Sequence, residues 1–354
     1  MPIQTTVYDT STLLGVMVDP QAMQPPSSYW LDLCFPTEVQ FDDEFIDFSR
    51  LSETRKLAPL VVPTSQGVPI YAPAESMTRV KPAYVKPKDP VSATRVIRRV
   101  AGLGELGGRA PMSPSERYNA IVTDILKQHR HAIERRWEWL AAEAVQHGQV
   151  TLVGENYPER IVNFNRAAAH TVTLTGATRW GQSGVDILGN LETWKKMTRL
   201  AKHGGASNRV TIGAEAWEVM RKDADIKEWL KTDYTPNTRN GLDLNLGVME
   251  GLEVEHVGKI NGTTDVYVYS DYYEEADGTT TPFMDPRDVV LTGPNVSGIR
   301  AFAAIEDVAA SWQPMQMFPK MWNVEDPSAT FVMTQSAPLM VPLNPNATMR
   351  ARVL

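Results

Sequence analysis

The stretch SPSERYNAIVTDILKQHRHAIERRWEWLAAEAVQHG, residues 113–148, is the most strongly patterned part of the chain. Ser113 suits an N-cap, Pro114 suits the first helical position, and Glu116 completes a capping box. Gly148 suits the C-terminal stop. The sequence predicts one helix of about 50 Å that acts as a structural spine. Its apolar stripe recurs every three or four residues and comprises Tyr118, Ile121, Val122, Ile125, Leu126, Ala132, Ile133, Trp137, Leu140, Ala144 and Val145.

The elements around this spine are shorter and of both kinds. Before it, residues 38–48 predict a strand with a bulge. Because strands and helices do not alternate regularly after it, the sequence predicts an α+β fold and not a doubly wound sheet. Strands are predicted at residues 150–153 and 160–164 (a hairpin), 209–212, 265–269, 289–291 and 298–305, and helices at 190–202, capped by Asn190, and at 215–231.

The prolines are concentrated at the two ends of the chain. Of 25 prolines, fourteen lie in the first 114 residues, two in the next 167 and nine in the last 73. Proline removes a backbone donor and favours extended geometry in the residue before it. We therefore predict a compact middle flanked by extended arms, which usually need a partner surface.

Two of the extended segments carry opposite charge. We predict that they pair with each other or with neighbouring subunits. The alternative is a nucleic-acid-binding module that uses the basic segment 79–99, but Tyr84 is its only aromatic residue and single-strand binding needs several. The acidic segment contains Glu38, Asp42, Asp43, Glu44 and Asp47, and the basic one Arg79, Lys81, Lys86, Lys88, Arg95, Arg98 and Arg99.

Composition excludes several classes of protein. The chain has 354 residues, is 42% apolar and 22% charged, and carries a formal net charge of -7. These values are typical of a folded protein and argue against one whose main task is to bind phosphate backbones. The single cysteine, Cys34, excludes an internal disulfide framework. With no long apolar run and no signal-peptide pattern, we expect a soluble, intracellular protein without a membrane contact.

A search for catalytic motifs finds little. Gly102, Gly104 and Gly107 match the dinucleotide pattern GxGxxG, so a nucleotide-binding oxidoreductase is a second alternative. However, the helix that should open at once begins several residues later. His129 and His131 lie two apart on a helix and cannot share a metal ion. We expect no enzyme activity, no cofactor and no metal.

Two further charged clusters and Cys34 are interpreted as structural. Cys34 is predicted to be a packed small hydrophobe. The acidic residues Asp271, Glu274, Glu275 and Asp277 are predicted to form a solvated hairpin tip. The polar face of the spine is predicted to face solvent or another subunit, with Lys127, Arg130, Arg135 and Arg136.

Five short motifs resemble the lambda-type phage major capsid protein E family in order and in spacing. The likeness extends from about residue 29 to residue 343. The motifs are FPTEV at 35–39, YVKPK at 84–88, GIR at 298–300, FPKMW at 318–322 followed by Asp326 and Pro327, and QSAPLM at 335–340.

The resemblance implies the tailed-phage major capsid fold of the Hong Kong ninety-seven type. It implies an N-terminal arm at residues 1–36 and an extended β-hairpin loop at 37–85. A peripheral domain with the spine helix would cover 86–187, and 316–354 would return to it. An axial domain would cover 188–315.

The resemblance also implies a function, that of a head-shell protein of a phage. Such a protein assembles with itself as hexamers and pentamers, encloses double-stranded DNA without reading its sequence, and resides in the virion after assembly in the host cytoplasm. A separate scaffold, a portal and a decoration or cement protein would be its partners. The charged residues of both segments other than Asp47 would then be subunit-interface residues, namely Glu38, Asp42, Asp43, Glu44, Arg79, Lys81, Lys86, Lys88, Arg95, Arg98 and Arg99.

Overall fold

The computed structural model describes residues 7–18, 28–48, 78–92, 113–154, 157–223, 226, 254–260, 263–275, 277–326 and 329–354. The helices in these ranges are α1 (Thr10–Val18), α2 (Tyr29–Cys34), α3 (Pro114–His147), α4 (Ile187–Leu200) and α5 (Ala214–Met220). The strands are β1 (Thr37–Phe41), β2 (Ile46–Phe48), β3 (Thr78–Val80), β4 (Lys88–Ser92), β5 (Gln149–Gly154), β6 (Tyr157–Asn163), β7 (Thr171–Thr173), β8 (Arg209–Gly213), β9 (Val254–Ile260), β10 (Thr264–Tyr269), β11 (Tyr272–Glu274), β12 (Thr280–Pro282), β13 (Asp288–Thr292), β14 (Ile299–Ala303), β15 (Phe318–Val324), β16 (Ala329–Gln335), β17 (Pro338–Val341) and β18 (Met349–Arg352).

Helix α3 confirms the predicted spine at both ends. The Ser113 side chain accepts the Glu116 N–H, and the Glu116 carboxylate accepts the Ser113 N–H at 2.7 Å. Gly148 ends the helix in the left-handed conformation at φ 65°. Of the eleven residues in the predicted stripe nine are buried, but Ala132 is exposed because the buried face runs through His129 instead.

Two three-stranded sheets pack near the spine, and each joins early and late parts of the chain. In one, β1 runs parallel to β14, which pairs antiparallel with β17. In the other, β16 lies between β15 and β4. Helix α2 and the C-terminal half of α3 share a large apolar core with the first sheet, while α1 and the N-terminal half of α3 share a smaller one with β15 and β16.

A six-stranded sheet forms the other large unit, in the order β7-β18-β13-β8-β10-β9. Strands β13 and β8 are antiparallel and β8 and β10 are parallel, so the sheet is mixed. One set of its side chains forms a core of its own, which includes Trp180 stacked on Trp194 of α4, with ring centroids 6.1 Å apart. Val254, Tyr269 and Val290 of the same sheet belong instead to the large core shared with α2 and the spine. The α+β prediction is confirmed.

Three hairpins complete the description. Strands β2 and β3 pair antiparallel and close the two ends of segment 49–77, which lies outside the described residues. Strands β5 and β6 form the hairpin predicted directly after the spine. Strands β11 and β12 form a short hairpin around Gly278.

Several predicted boundaries are wrong. Residues 38–48 are not one bulged strand, because β1 and β2 belong to different sheets. Helix α4 begins three residues before Asn190, since the Asp186 carboxylate accepts the Gly189 N–H at 2.7 Å and acts as the N-cap. Helix α5 ends at Met220, and the chain turns over residues 221–223.

Candidate subunit interface

Ion pairs between the acidic and basic segments surround the β2–β3 pair, which closes the ends of segment 49–77. Arg79 lies in β3 and binds the Asp43 carboxylate. Its Nε also lies 3.5 Å from the Asp47 carboxylate of β2. Its guanidinium also lies over the Phe45 ring, 4.3 Å from the centroid. The two segments therefore pair with each other within one chain, whereas their contact with a neighbouring subunit stays a prediction.

Lys81 joins this region to the segment that follows β14. Its ammonium group lies 2.6 Å from Glu306 and 2.5 Å from Glu44. The hydrogen bonds with Glu306 and then Glu44 raise the pKa of Lys81. The Tyr84 hydroxyl donates to the carbonyl of Ala304 at 2.9 Å and accepts the Glu306 N–H at 3.0 Å. These contacts tie the chain that follows β3 to the segment after β14.

The next two lysines of the basic segment lie over aromatic rings of the same chain. Lys86 lies over Tyr84, and Lys88 lies over Phe331 with its ammonium 4.3 Å from the centroid. Both lysines are exposed. The face of an aromatic ring attracts a cation by about 0.5–1 kcal/mol at an exposed site, which favours one position of the ammonium group. Two positive charges are thus presented at defined places on the surface.

The remaining interface candidates lie at the edge of β1 or outside the described residues. The Glu38 carboxylate accepts from the Gln316 amide at 2.5 Å and from Gln40 at 3.2 Å. Asp42 is exposed. Arg95, Arg98 and Arg99 lie outside the described residues, as do the glycines of the GxGxxG match, Gly102, Gly104 and Gly107.

An exposed apolar loop, which the sequence analysis missed, follows β14. Val308 is 77% exposed and Trp312 is 62% exposed. The loop is held at its start by Asp307, whose carboxylate binds Lys320 at 2.9 Å and accepts the Ala309 N–H at 2.9 Å. Ser311 and Trp312 both have positive φ, near 53°. The only feature of the sequence that could have indicated this loop is a tryptophan in a short segment between polar residues.

Three charged residues that were predicted to face solvent or, for the spine, another subunit are bound within the chain. Asp271 is 5% exposed, and Arg135 of the spine donates to both its carboxylate oxygens at 2.6 and 3.1 Å. Arg130 donates to Glu134 at 2.8 Å. Helical periodicity identifies the polar face of α3 but carries no information on the element that packs against it. The prediction of a solvated position is wrong for Asp271, and contact of the spine arginines with another subunit stays a prediction.

The histidines and the cysteine are held in structural positions. His129 is buried, with Nε2 3.0 Å from the Asp89 carboxylate and Nδ1 3.2 Å from the Thr334 hydroxyl. Burial lowers the pKa of His129. These hydrogen bonds join α3 to β4 and β16. Since Thr334 is fully buried, its hydroxyl is not accessible to act as a nucleophile. His131 is exposed on another face, as predicted. Cys34 is buried, which confirms its interpretation as a packed hydrophobe.

Within the described ranges, no three His, Cys, Asp or Glu side chains are placed to hold a metal ion. In the same ranges, no helix has the length and apolar content needed to span a membrane.

The comparison of folds defines the class of protein. A crystal structure of a protein assigned as the capsid protein of a prophage in E. coli CFT073 superposes with a TM-score of 0.73 at 22% identity, covering 99% of this chain and 100% of that one. The fold is therefore the α+β fold of tailed-phage capsid proteins, as the sequence motifs imply.

Sequence relatives give the family. The chain is 26% identical over 349 residues to the major capsid protein of Escherichia phage lambda, covering 96% of this chain and 97% of that protein. It is 27% identical over 325 residues to the major capsid protein of Enterobacteria phage P21, covering 90% and 91%. The family model for phage major capsid protein E matches residues 11–353. The chain belongs to this family and is a major capsid protein of a phage head, which confirms the resemblance seen in its motifs.

Proposed function

We propose that copies of this chain assemble as hexamers and pentamers into an icosahedral procapsid shell, which then expands around double-stranded DNA. The observation that carries this proposal is the match to the capsid family from residue 11 to residue 353. The chain would act through changes at its interfaces and not through catalysis. Its relatives, which are capsid proteins, support that view.

The proposed domain division follows the expectation from the sequence. Residues 1–36 would form the N-terminal arm and 37–85 the extended loop, with 86–187 and 316–354 in the peripheral domain and 188–315 in the axial domain. The β2–β3 pair supports a loop that leaves and returns at one place. The core that one set of side chains of the six-stranded sheet forms by itself supports a distinct axial unit. Strand β18 in that sheet, and Tyr269 and Val290 in the core around the spine, tie the two units together.

We propose that neighbouring subunits contact each other through charged residues of the acidic and basic segments and through the exposed apolar loop after β14. Arg79, Lys81, Asp43 and Glu44 would brace the loop within one chain, because each already has a partner there. The exposed charges of the two segments and the loop with Val308 and Trp312 would contact neighbours. The first group to test comprises Glu38, Asp42, Lys86, Lys88, Arg95, Arg98 and Arg99.

The partners and the location are proposed from the family. A separate scaffold, a portal and a decoration or cement protein would act with the shell, which would assemble in the host cytoplasm and remain in the virion. The net charge of -7 supports a shell that encloses DNA without adhering to it.

Electron microscopy of the chain expressed with its neighbouring genes tests the proposal. We expect closed shells of uniform diameter, and smaller or irregular particles when the neighbouring scaffold gene is omitted. If only soluble monomers appear under both conditions, the proposal fails. Saturable binding of a nicotinamide, or salt-sensitive retention on DNA, would support one of the two alternatives instead.

A further inference from the structure

Helix α2 lies between the spine helix and the six-stranded sheet and contacts both. The Tyr29 hydroxyl hydrogen-bonds the Thr211 hydroxyl of β8 at 2.8 Å, and the Tyr29 ring stacks on Tyr269 of β10 with centroids 5.1 Å apart. At the other end of α2, the Gly298 N–H donates to the carbonyl of Cys34 at 2.8 Å. This six-residue helix therefore links the two large units of the fold.

The start of α2 is bound by a carboxylate of the spine. Glu138 accepts the Trp30 N–H on one oxygen at 2.7 Å and the Leu31 N–H on the other at 3.1 Å. The first N–H groups of a helix have no partner within it. The preceding residue, Ser28, does not supply one, since its hydroxyl donates to Asp32 instead. Glu138, which is 108 positions from Trp30 in the sequence, therefore caps the start of α2 in place of a neighbouring side chain.

Glu138 is 1% exposed, and both of these hydrogen bonds come from neutral backbone groups. The cation one turn away on α3, Arg135, is bound to Asp271 and to the Tyr272 carbonyl. On α2, Asp32 is paired with Arg300 of β14 at 2.7 Å. The other titratable groups that face Glu138 are uncharged near neutral pH: Tyr29 and Cys34 of α2, and Tyr269 of β10.

Burial in this setting raises the pKa of Glu138 to about 7, although the Trp30 and Leu31 bonds act in the opposite direction. Asp271 and Asp32 add a smaller increase. The raised pKa of Glu138 is expected from the geometry, because a carboxyl group that is removed from water and has no cation of its own favours its neutral form.

We propose that α2 is a releasable link between the two units, and that the proton on Glu138 controls its release. When α2 separates from the spine, Glu138 reaches water and returns to the ordinary behaviour of a glutamate. Between the ordinary and the raised pKa, the closed form holds a proton that the open form loses. Raising the pH therefore favours release, and lowering it holds α2 in place.

Cys34 reports this release directly. It is the single cysteine of the chain, it is the last residue of α2, and it is 2% exposed. The rate at which an aromatic disulfide reagent labels Cys34 in the unassembled full chain is divided by the rate for the urea-unfolded chain at the same pH. The ratio gives the opening equilibrium, free of the pH dependence of the thiol itself.

We expect the opening equilibrium to rise by about 50-fold between about pH 5 and pH 8 and then to level off. In Glu138→Gln it should change by less than about 3-fold, since the amide cannot ionise. Asp124→Asn, an exposed position on the same helix, is the matched control and should keep the wild-type profile. Amide exchange should lose protection in α2 while β13 keeps it, which separates release from global unfolding.

A second variant covers the case in which Glu138→Gln does not fold. Asp271→Asn removes a neighbouring negative charge and leaves Arg135 available to Glu138, so the midpoint of the labelling profile should move to lower pH. A wild-type profile that is flat with pH would overturn the proposal. So would a pH dependence that survives in Glu138→Gln, or a midpoint that does not move in Asp271→Asn.

Discussion

Arg350 of β18 and Asp288 of β13 form an ion pair within the six-stranded sheet, where the Asp288 side chain is fully buried. The guanidinium lies 2.5 Å from the carboxylate, and its Nε donates to the same oxygen at 2.6 Å. Arg350 also lies 3.2 Å from the His147 ring at the end of the spine. The pair therefore connects the last strand of the chain both to its sheet and to α3.

Removing one member of this ion pair should lower the stability of the folded chain. In Arg350→Leu, the Asp288 carboxylate is left buried without a cation, and we expect the free energy of unfolding to fall by about 3–5 kcal/mol. Urea unfolding of the unassembled chain measures this. Arg287→Ala is the control, because Arg287 pairs with Asp285 at an exposed position and should cost less than about 1 kcal/mol.

The double variant Arg350→Leu with Asp288→Leu should recover more than half of that loss, since no lone charge stays buried. If the double variant is as unstable as the single one, the loss comes from packing, and the electrostatic explanation is contradicted.

His147 should make the chain less stable in acid. Burial, and then Arg350 and Arg166, lower the pKa of His147 to about 4. The unfolded chain therefore binds a proton that the folded chain does not, and stability is lost as the pH falls below about 6.5. Because this side chain is about one-third exposed, we expect its share between pH 7 and pH 5 to be about 1 kcal/mol after solvent screening.

Urea unfolding of His147→Gln at the two pH values checks this prediction. The variant should lose less stability than the parent chain on going to pH 5, while exposed His131→Gln should behave as the parent does. Equal losses in the parent chain and in His147→Gln would show that another group is responsible.

Trp312 should matter for assembly and little for folding. Because it is 62% exposed in one subunit, Trp312→Ser should change the unfolding free energy by less than about 0.5 kcal/mol. A buried tryptophan at an interface often contributes 2 kcal/mol or more, on the order of tens of fold in affinity. We therefore expect a severalfold drop in shell yield by electron microscopy and sedimentation.

Exposed Lys222→Ser is the control for Trp312→Ser and should assemble as the parent chain does. A Trp312→Ser chain that forms shells in normal yield would remove this loop from the proposed interface.

Reversing charge in the basic segment should also impair assembly. Arg98→Glu with Arg99→Glu should give a folded, soluble chain that forms shells poorly, because many weak contacts act together in a closed shell. Arg98→Lys with Arg99→Lys keeps the charge and should assemble. Normal particle yield from the double glutamate variant would contradict a role for these residues.

The sequence predicted correctly those helices and hairpins whose ends depend on residues a few positions apart. The capping box at Ser113 and the stop at Gly148 define α3 because each depends on residues a few positions away. Asp186 shows the limit of such reasoning, since Asn190 is an equally suitable cap by residue type. With Asp186 as the cap, Ile187 is the first residue of the helix and is buried, a contact that local sequence does not reveal.

The contacts that organise the candidate site lie far apart in sequence. Glu138 binds the start of α2, and Arg135 binds Asp271, across more than a hundred residues. The sequence shows a glutamate between Trp137 and Trp139 but not the helix that it caps. Trp312 is similar, because its exposure depends on how Asp307 holds the loop.

The pairing of early with late strands has a consequence for synthesis on the ribosome. Strand β1 needs β14, β4 needs β16, and β7 needs β18. A nascent chain therefore carries three strand edges without their partners until the late strands have been synthesised, and such edges are prone to misassembly. The sheets of a subunit can close only after these late strands have emerged from the ribosome, and copies made side by side on one polysome cannot join a growing shell before then.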